Sequence, residues 1–313
     1  MLSRRLLRIK VLQALYAYWQ QEEANKGALE KNLLKSINEM EGVYLTALDL
    51  PLQLAHYVEV SHNPEQTKYL PKANDFKVYQ AFTKNAIVTL LKESETFSAK
   101  TKSPKVHWGG ETDYLFRLSK ALKEKEEFQL FMLKSTPTFN EQKAFFKFII
   151  TYLFEEEDFN QSMEDAFLEW DDDKDPVQKS IVRTLDELTE DATEFKLADL
   201  SPDIKEDKEF ATELFRKTIV NSDSNTEQIV AYTPNWDKER IALMDMILLK
   251  MAITEMTDFP YIPVKVTINE YLEIAKRYST PNSNKFLNGI LDKIYHKLND
   301  ENKILKQGRG LIQ

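Results

Sequence analysis

Three arginines stand close together near the start of the chain, in the run SRRLLRIKVLQALYAYWQ that begins at Ser3. Arg4, Arg5 and Arg8 can each bind a phosphate through two N–H groups. The polar aromatic residues that follow, Tyr16 among them, can stack on unpaired RNA bases, although such side chains serve equally well in a hydrophobic core. These residue types point to binding of single-stranded RNA.

Residues suited to catalysis or metal binding are few. The chain has no cysteine, and its four histidines lack the spacing of a zinc site or a catalytic triad. No glycine-rich phosphate loop occurs. The acidic segment between Glu155 and Asp175 lacks the glycine of a calcium loop, and it predicts a solvated face or loop. We infer a protein that is not an enzyme and that uses no cofactor or metal.

Helices are expected to position these residues. Ser3 is a good N-cap for a helix that starts with the arginines, which then oppose the helix dipole and favour a nearby anion. From about 25 to 205, helix-length segments are broken by turn sequences such as SPKVHWGG and STPTFN. Further along, Thr267 and Glu270 form the T-x-x-E pattern of a capping box. The sequence predicts an all-α bundle.

The composition agrees with this fold and indicates a compartment. The 313 residues are 42% hydrophobic and 30% charged, with 7 glycines and 11 prolines. The chain can therefore bury a core, but it holds few of the residues that turn-rich β folds need. Because no apolar run is long enough to cross a membrane and cysteine is absent, we expect a cytoplasmic protein with no membrane contact.

The net charge of −9 is unevenly distributed along the chain. Residues 1–20 carry +4 and residues 261–313 carry another +4, so the intervening residues 21–260 carry −17. The pI of about 5.2 argues against a nucleic-acid-binding protein. Two basic terminal segments that meet in the fold would argue for one.

Four segments resemble the NusB family of transcription antitermination factors, in matching order and spacing. They are SRRLLRIKVLQALYAYWQ, NWDKERIALMDMILLKMAITEM, IPVKVTINEYLEIAKRYS and NSNKFLNGILDKI. The resemblance covers about 1–20 and 207–298 and implies an all-α, NusB-like two-part helical bundle with an additional helical insertion. It divides the chain into a first helix at 1–24, an acidic helical insertion or added subdomain at 25–205, the rest of the bundle at 206–300 and a basic tail at 301–313.

The resemblance also implies site residues. The acidic positions that face the protein partner of the family fall on Glu239 and Asp245. A loop close to RNA in the family falls near residue 283, which would bring the two basic termini onto one surface. The RNA-binding positions of the family fall on Arg4, Arg5, Arg8, Tyr16, Asn282, Ser283 and Lys285.

The function that the resemblance implies is binding of boxA-type RNA. Family members do so together with NusE, a small-subunit ribosomal protein, in the transcription elongation complex, and they support ribosomal RNA transcription. The same helical domain occurs fused to RNA cytosine methyltransferases, but such an enzyme needs a cysteine nucleophile, which this chain lacks. A protein–protein adaptor whose main binding surface is the insertion, rather than RNA, stays open as the alternative.

Overall fold

The computed structural model describes residues 2–61, 73–102, 104–233 and 241–307, without the side chains of residues 73–76. Within these residues it contains fifteen α-helices, one short 3-10 helix and no strand, so the predicted all-α fold is confirmed. The helices in chain order are α1 (Arg4–Gln20), α2 (Lys26–Ser61), α3 (Ala73–Thr83), α4 (Ala86–Glu93), α5 (Glu95–Lys100), α6 (Thr112–Lys123), α7 (Glu126–Met132), α8 (Phe139–Glu155), α9 (Glu157–Ala166), α10 (Trp170–Glu187), α11 (Ile204–Val220), α12 (Ser222–Ala231), α13 (Leu243–Asp258), α14 (Val264–Tyr278) and α15 (Ser283–Asp300).

The chain forms two compact units. We call residues 2–37 together with the chain from 203 onward the terminal unit, and residues 38–202 the inner unit. Helix α2 begins in the terminal unit and continues into the inner one. The division after residue 202 is close to the sequence-based boundary at 205, whereas the division after residue 37 lies 13 residues beyond the boundary at 24. Independent folding of the segment between them stays a prediction.

Helix α1 begins where the sequence predicts. The Ser3 side chain accepts a hydrogen bond from the Leu6 N–H at 3.1 Å, which satisfies one of the free donors at the helix start. From Leu6 to Leu12 every side chain is buried, because α11, α13 and α14 all pack against α1. The helix is therefore enclosed in its middle and accessible at its two ends.

Helix α13 lies at the centre of the terminal unit. Its side chains are buried without interruption from Asp245 to Met256, and it packs against α1, α11, α12, α14 and α15. This enclosed position accounts for the almost wholly apolar sequence of the helix.

Helix α14 begins one turn earlier than the T-x-x-E pattern predicts. Pro263 occupies the N-cap position, so Thr267 and Glu270 lie inside the helix and the predicted capping box is wrong. Both side chains are taken by tertiary partners instead. The Thr267 hydroxyl donates to Glu255, and the Glu270 carboxylate accepts from Arg5.

The inner unit has an aromatic core. Phe131 and Phe145 stack with ring centroids 4.1 Å apart, as expected of a phenylalanine-rich helical segment. Helix α10 differs from the sequence-based prediction of a solvated acidic segment. Asp172 and Asp173 lie in its first turn and are buried, a position where the helix dipole favours carboxylates.

Candidate nucleic-acid interface

The third arginine of the N-terminal cluster lies in the core of the terminal unit. Arg8 is 2% exposed, and its Nε and Nη2 each donate to the Glu255 carboxylate at 2.7 Å. The same carboxylate accepts from the Thr267 hydroxyl at 2.7 Å and from the Tyr271 hydroxyl at 3.2 Å. Because both donor groups of its guanidinium are bound by Glu255, Arg8 fixes α1 to α13 and α14. It is therefore not available to an RNA phosphate in the folded protein.

Two side chains of this buried network, Arg8 and Tyr271, have raised pKa values. Burial lowers the pKa of the Arg8 guanidinium, but the hydrogen bonds and negative charge of Glu255 outweigh burial and hold that pKa above its ordinary value. Burial also raises the pKa of Tyr271 well above its ordinary value, and the charge of Glu255 adds to the effect. At neutral pH, Arg8 is therefore charged and Tyr271 remains a donor.

The first two arginines are accessible but paired with carboxylates. Arg5 is 47% exposed and donates from Nε and Nη2 to Glu270 at 2.8 Å each. These hydrogen bonds lower the pKa of Glu270. Arg4 pairs with Glu206, and its guanidinium lies 4.5 Å from the ring centroid of Phe210. An RNA phosphate must therefore compete with Glu206 and Glu270 for these two side chains.

The predicted aromatic contact lies at the far end of α1. Tyr16 comes twelve residues after Arg4 along the helix, which is about 18 Å at the rise of an α-helix. It is 38% exposed, and its hydroxyl accepts a hydrogen bond from Gln20 Nε2 at 2.9 Å. Its ring is available for stacking, but the buried middle of α1 separates it from the arginines.

The predicted RNA loop and the predicted partner residue are joined to each other. Asp245 is buried in the first turn of α13, where it accepts from the Ser283 hydroxyl at 2.8 Å and from the Ser279 hydroxyl at 2.6 Å. Ser283 is itself buried, whereas Asn282 and Lys285 are exposed. Asp245 thus anchors the start of α15, and it is not the surface acid that the sequence predicts. The other predicted partner residue, Glu239, lies outside the described residues.

The two groups of predicted RNA residues lie at opposite ends of α13. The arginines are grouped at its C-terminal end near Glu255, and the loop that contains Ser283 is at its start near Asp245. Ten residues of helix separate Asp245 from Glu255, or about 15 Å. The N-terminal arginines and the loop that contains Ser283 therefore do not form a single patch, and an RNA strand that contacts both must extend at least this far.

Sequence reasoning missed the carboxylates that pair with the arginines, although one signal indicated them. Arginines in the first turn oppose the helix dipole and favour a nearby anion. The anions that the structure supplies are Glu206, Glu255 and Glu270, which come from three other helices. Their distance along the chain, between 202 and 265 residues, hid them from any local pattern.

The described part of the chain contains neither a candidate metal site nor a candidate membrane span. No group of three or more histidine, aspartate or glutamate side chains there could hold a metal ion. None of the helices in those residues is long and apolar enough to cross a membrane.

Comparison with known proteins identifies relatives. The model of the NusB family matches residues 165–296, which includes the last part of the inner unit. The chain is 46% identical over 105 residues to the transcription antitermination protein NusB of Salinibacter ruber, covering 34% of this chain and 66% of that protein. It is 41% identical over 114 residues to the protein of the same name from Chloroherpeton thalassium, covering 36% of this chain and 54% of that one.

A third relative is covered more fully. The transcription antitermination protein NusB of Dictyoglomus turgidum is 39% identical over 115 residues, which is 37% of this chain and 77% of that protein. A solved structure of T. maritima NusB is 30% identical and covers 47% of this chain and 84% of its own, but the TM-score of 0.29 is too low to support a structural argument. The identity to the Dictyoglomus protein over three quarters of its length, together with the match to the family model, shows that the chain belongs to the NusB family.

Proposed function

We propose that this protein is an RNA-binding transcription antitermination factor that acts with NusE on boxA-type RNA. It would work in the cytoplasm, in the transcription elongation complex, and support ribosomal RNA transcription without catalysis or a cofactor. The observation that carries the proposal is family membership, with 39–46% identity to three proteins named transcription antitermination protein NusB. The chain spans 66% and 54% of the lengths of two of them, and the proposal gives this chain the activity that their names state.

The accessible side chains at the two ends of α13 support an RNA role. The pair between Arg5 and Glu270 is partly exposed, and pairs of this kind contribute only about 0–1 kcal/mol to stability. A phosphate that binds the same guanidinium bidentately can therefore displace the carboxylate. At the other end, Lys285 offers a second cation, Asn282 offers an amide, and Tyr16 offers a ring for stacking.

We place the NusE contact at the start of α13. Asp245 is buried, so it would act by holding Ser283 and the loop around it in position, not through a direct ion pair with the partner. NusE bound there would lie next to Lys285 and Asn282. This arrangement would let the protein partner complete the RNA surface at the end of the unit opposite to Arg4 and Arg5.

The experiment is filter binding of boxA RNA, with and without purified NusE, over a series of salt concentrations. We expect Arg5→Ala and Lys285→Ala each to weaken binding and to reduce the slope of log K against log salt by about 0.7. The matched control is Arg117→Ala, because Arg117 is an exposed arginine of the inner unit that also pairs with a carboxylate, Asp158, at 2.6 Å.

The control variant should bind RNA like the parent. If Arg5→Ala and Lys285→Ala both keep the parental affinity and slope, the proposed RNA surface is wrong. If Arg117→Ala weakens binding as much as they do, RNA contacts the inner unit and the assignment to the terminal unit is wrong.

A second candidate function is the adaptor role of the inner unit. One observation favours it: several large apolar side chains of this unit are exposed, which is typical of a protein-binding surface when they are contiguous. Pull-down of purified elongation complex by the parent and by Leu133→Ser tests this role, with RNA binding as the control that should not change. The large exposed apolar side chains among the described residues of this unit are Val60, Phe116, Leu130, Leu133 and Leu168.

A further inference from the structure

A groove runs beside the N-terminal arginines in the terminal unit, at the end of α13 opposite to Asp245. Its volume is about 950 Å³, within the range of ligand sites in proteins. Phe210 of α11 and the segment from Phe259 to Pro263, which joins α13 to α14, line its apolar part. Tyr261 in that segment is 77% exposed, so a large aromatic ring is open to a ligand.

The groove also has an acidic wall. Helix α11 places Glu206, Glu209 and Glu213 along it, at the spacing of one helix face. Asp258 and Glu270 add two more carboxylates, so among the described lining residues five acids stand against three arginines. Since Arg8 is already neutralised by Glu255, which lies outside the groove, the lining has a negative balance.

The acids are only partly neutralised by the protein itself. The Lys217 Nζ lies 3.2 Å from the Glu213 carboxylate, and Arg4 forms an ion pair with Glu206. Within the described residues, no hydrogen bond or ion pair reaches Glu209, which is exposed. The Nη1 of Arg4 is buried without a hydrogen-bond partner and lies 3.9 Å from Asp207.

We propose that this groove binds an extended protein segment in which an apolar or aromatic side chain is flanked by lysine or arginine. The apolar anchor would pack on Phe210 and Tyr261, and the flanking cations would pair with Glu209 and Glu213 of the acidic wall. The negative charge of the acidic wall repels phosphates, so this wall disfavours RNA as its occupant. Asp258 ends α13, whereas Asp245 lies in its first turn, so this surface is separate from the proposed NusE contact.

Occupancy of the groove would be coupled to RNA binding, a consequence that rests on the proposed function. Cations of the bound segment would pair with Glu206 and Glu270 in place of Arg4 and Arg5. Exposed ion pairs of this kind each contribute little to stability, so the exchange of one cation for another changes the free energy little. It would release both guanidinium groups for phosphate binding, so the bound segment and RNA would each increase the affinity for the other.

The first experiment identifies the ligand chemistry without RNA. A random dodecapeptide phage library is selected on the full-length protein, and the enriched peptides are compared with those selected on Glu209→Lys with Glu213→Lys. We expect the parent to enrich peptides of positive net charge that contain an aromatic or large aliphatic residue, and the double variant to lose this enrichment. The proposal is wrong if the parent shows no preference for positive peptides, or if the double variant selects the same ones.

The second experiment measures affinity by fluorescence anisotropy with the most enriched peptide. We expect at least tenfold weaker binding to Glu209→Lys with Glu213→Lys and to Tyr261→Ala, and unchanged binding to Asp292→Lys. Asp292 is the matched control, because it is an exposed acid of α15 in the same unit. Equal affinity for all of these proteins would show that the peptide binds elsewhere, and boxA RNA that displaces the peptide from the acidic wall would reassign the groove to RNA.

The coupling is tested last, with the same peptide and boxA RNA. Saturating peptide should tighten RNA binding by the parent at least threefold. The RNA affinity of the double variant Arg4→Ala with Arg5→Ala should not change when the peptide is added. Unaltered RNA affinity in the parent would overturn the coupling. A failure of the proposed function has a different outcome. The parent would then not bind boxA RNA with or without peptide, but it would still bind the peptide, and Glu209→Lys with Glu213→Lys would still weaken that binding.

Discussion

Replacement of Arg8 by methionine should destabilise the terminal unit without removing an RNA contact. Arg8 is 2% exposed and Glu255 is fully buried, so the substitution leaves the carboxylate in the core with only the hydroxyls of Thr267 and Tyr271 as donors. Removal of one partner from such a buried pair costs about 3–5 kcal/mol. For a cooperative unit of this size, we expect the melting temperature to fall by about 6–20 °C.

A double-mutant cycle isolates the uncompensated charge as the cause. Glu255→Gln keeps a carbonyl oxygen that can accept from Thr267 and Tyr271, but it removes the negative charge. Arg8→Met combined with Glu255→Gln therefore leaves no buried ion, and we expect it to be more stable than Arg8→Met alone by at least about 1.5 kcal/mol. Urea unfolding followed by circular dichroism gives the four free energies of unfolding.

RNA binding supplies the second readout for this variant. Below its melting transition, Arg8→Met should bind boxA RNA within threefold of the parent, because the guanidinium is occupied by Glu255 in the folded protein. A variant with parental stability and a tenfold loss of RNA affinity would refute this reasoning. It would show that Arg8 leaves the core to contact RNA.

Three further predictions concern other ionised groups. Asp245→Ala should lower the free energy of unfolding by about 2–3 kcal/mol, because the hydroxyls of Ser279 and Ser283 lose a charged acceptor; parental urea stability would contradict this. Since Arg5 lowers the pKa of Glu270, that carboxylate stabilises the folded state above its ordinary pKa of 4.5, and this stabilisation is lost as the pH falls. The stability difference between the parent and Glu270→Gln, at most about 1 kcal/mol, should shrink below pH 4.5 in acid titrations followed by urea unfolding, and a constant difference would argue against the pair. Burial lowers the pKa of Lys306 to about 8, so its ¹³C-methylated amine should titrate near pH 8 by NMR, and folding should become more favourable between about pH 8 and 10.5; titration near 10.5 would contradict the position of this side chain.

The main features of the fold could be predicted from local patterns. The Ser3 cap depends on adjacent residues and appears in the structure as expected. The all-α fold follows from helix-length segments separated by turn sequences. The start of α14 could not be predicted by its T-x-x-E pattern. Pro263 is the N-cap, so the helix begins earlier. The Thr267 hydroxyl instead donates a hydrogen bond to the buried carboxylate of Glu255, 12 residues away along the chain.

The site was predicted less completely, because its charges are set by partners distant in sequence. A local reading treats Arg8 and Asp245 as surface groups, since arginine and aspartate are mostly exposed in proteins. In the structure each is buried with designated partners, Glu255 for Arg8 and two serine hydroxyls for Asp245. Arg5 and Lys285 are exposed, as a local reading expects of charged side chains, and their contact with RNA stays a prediction.

The central claim is that this member of the NusB family binds boxA-type RNA together with NusE. The most direct test is the affinity of the full-length protein for boxA RNA and for a scrambled RNA of the same composition, each measured with and without saturating NusE at one fixed salt concentration. The account predicts that NusE tightens binding to boxA RNA at least tenfold and leaves binding to the scrambled RNA nearly unchanged. Equal affinity for the two RNAs in the presence of NusE would contradict it.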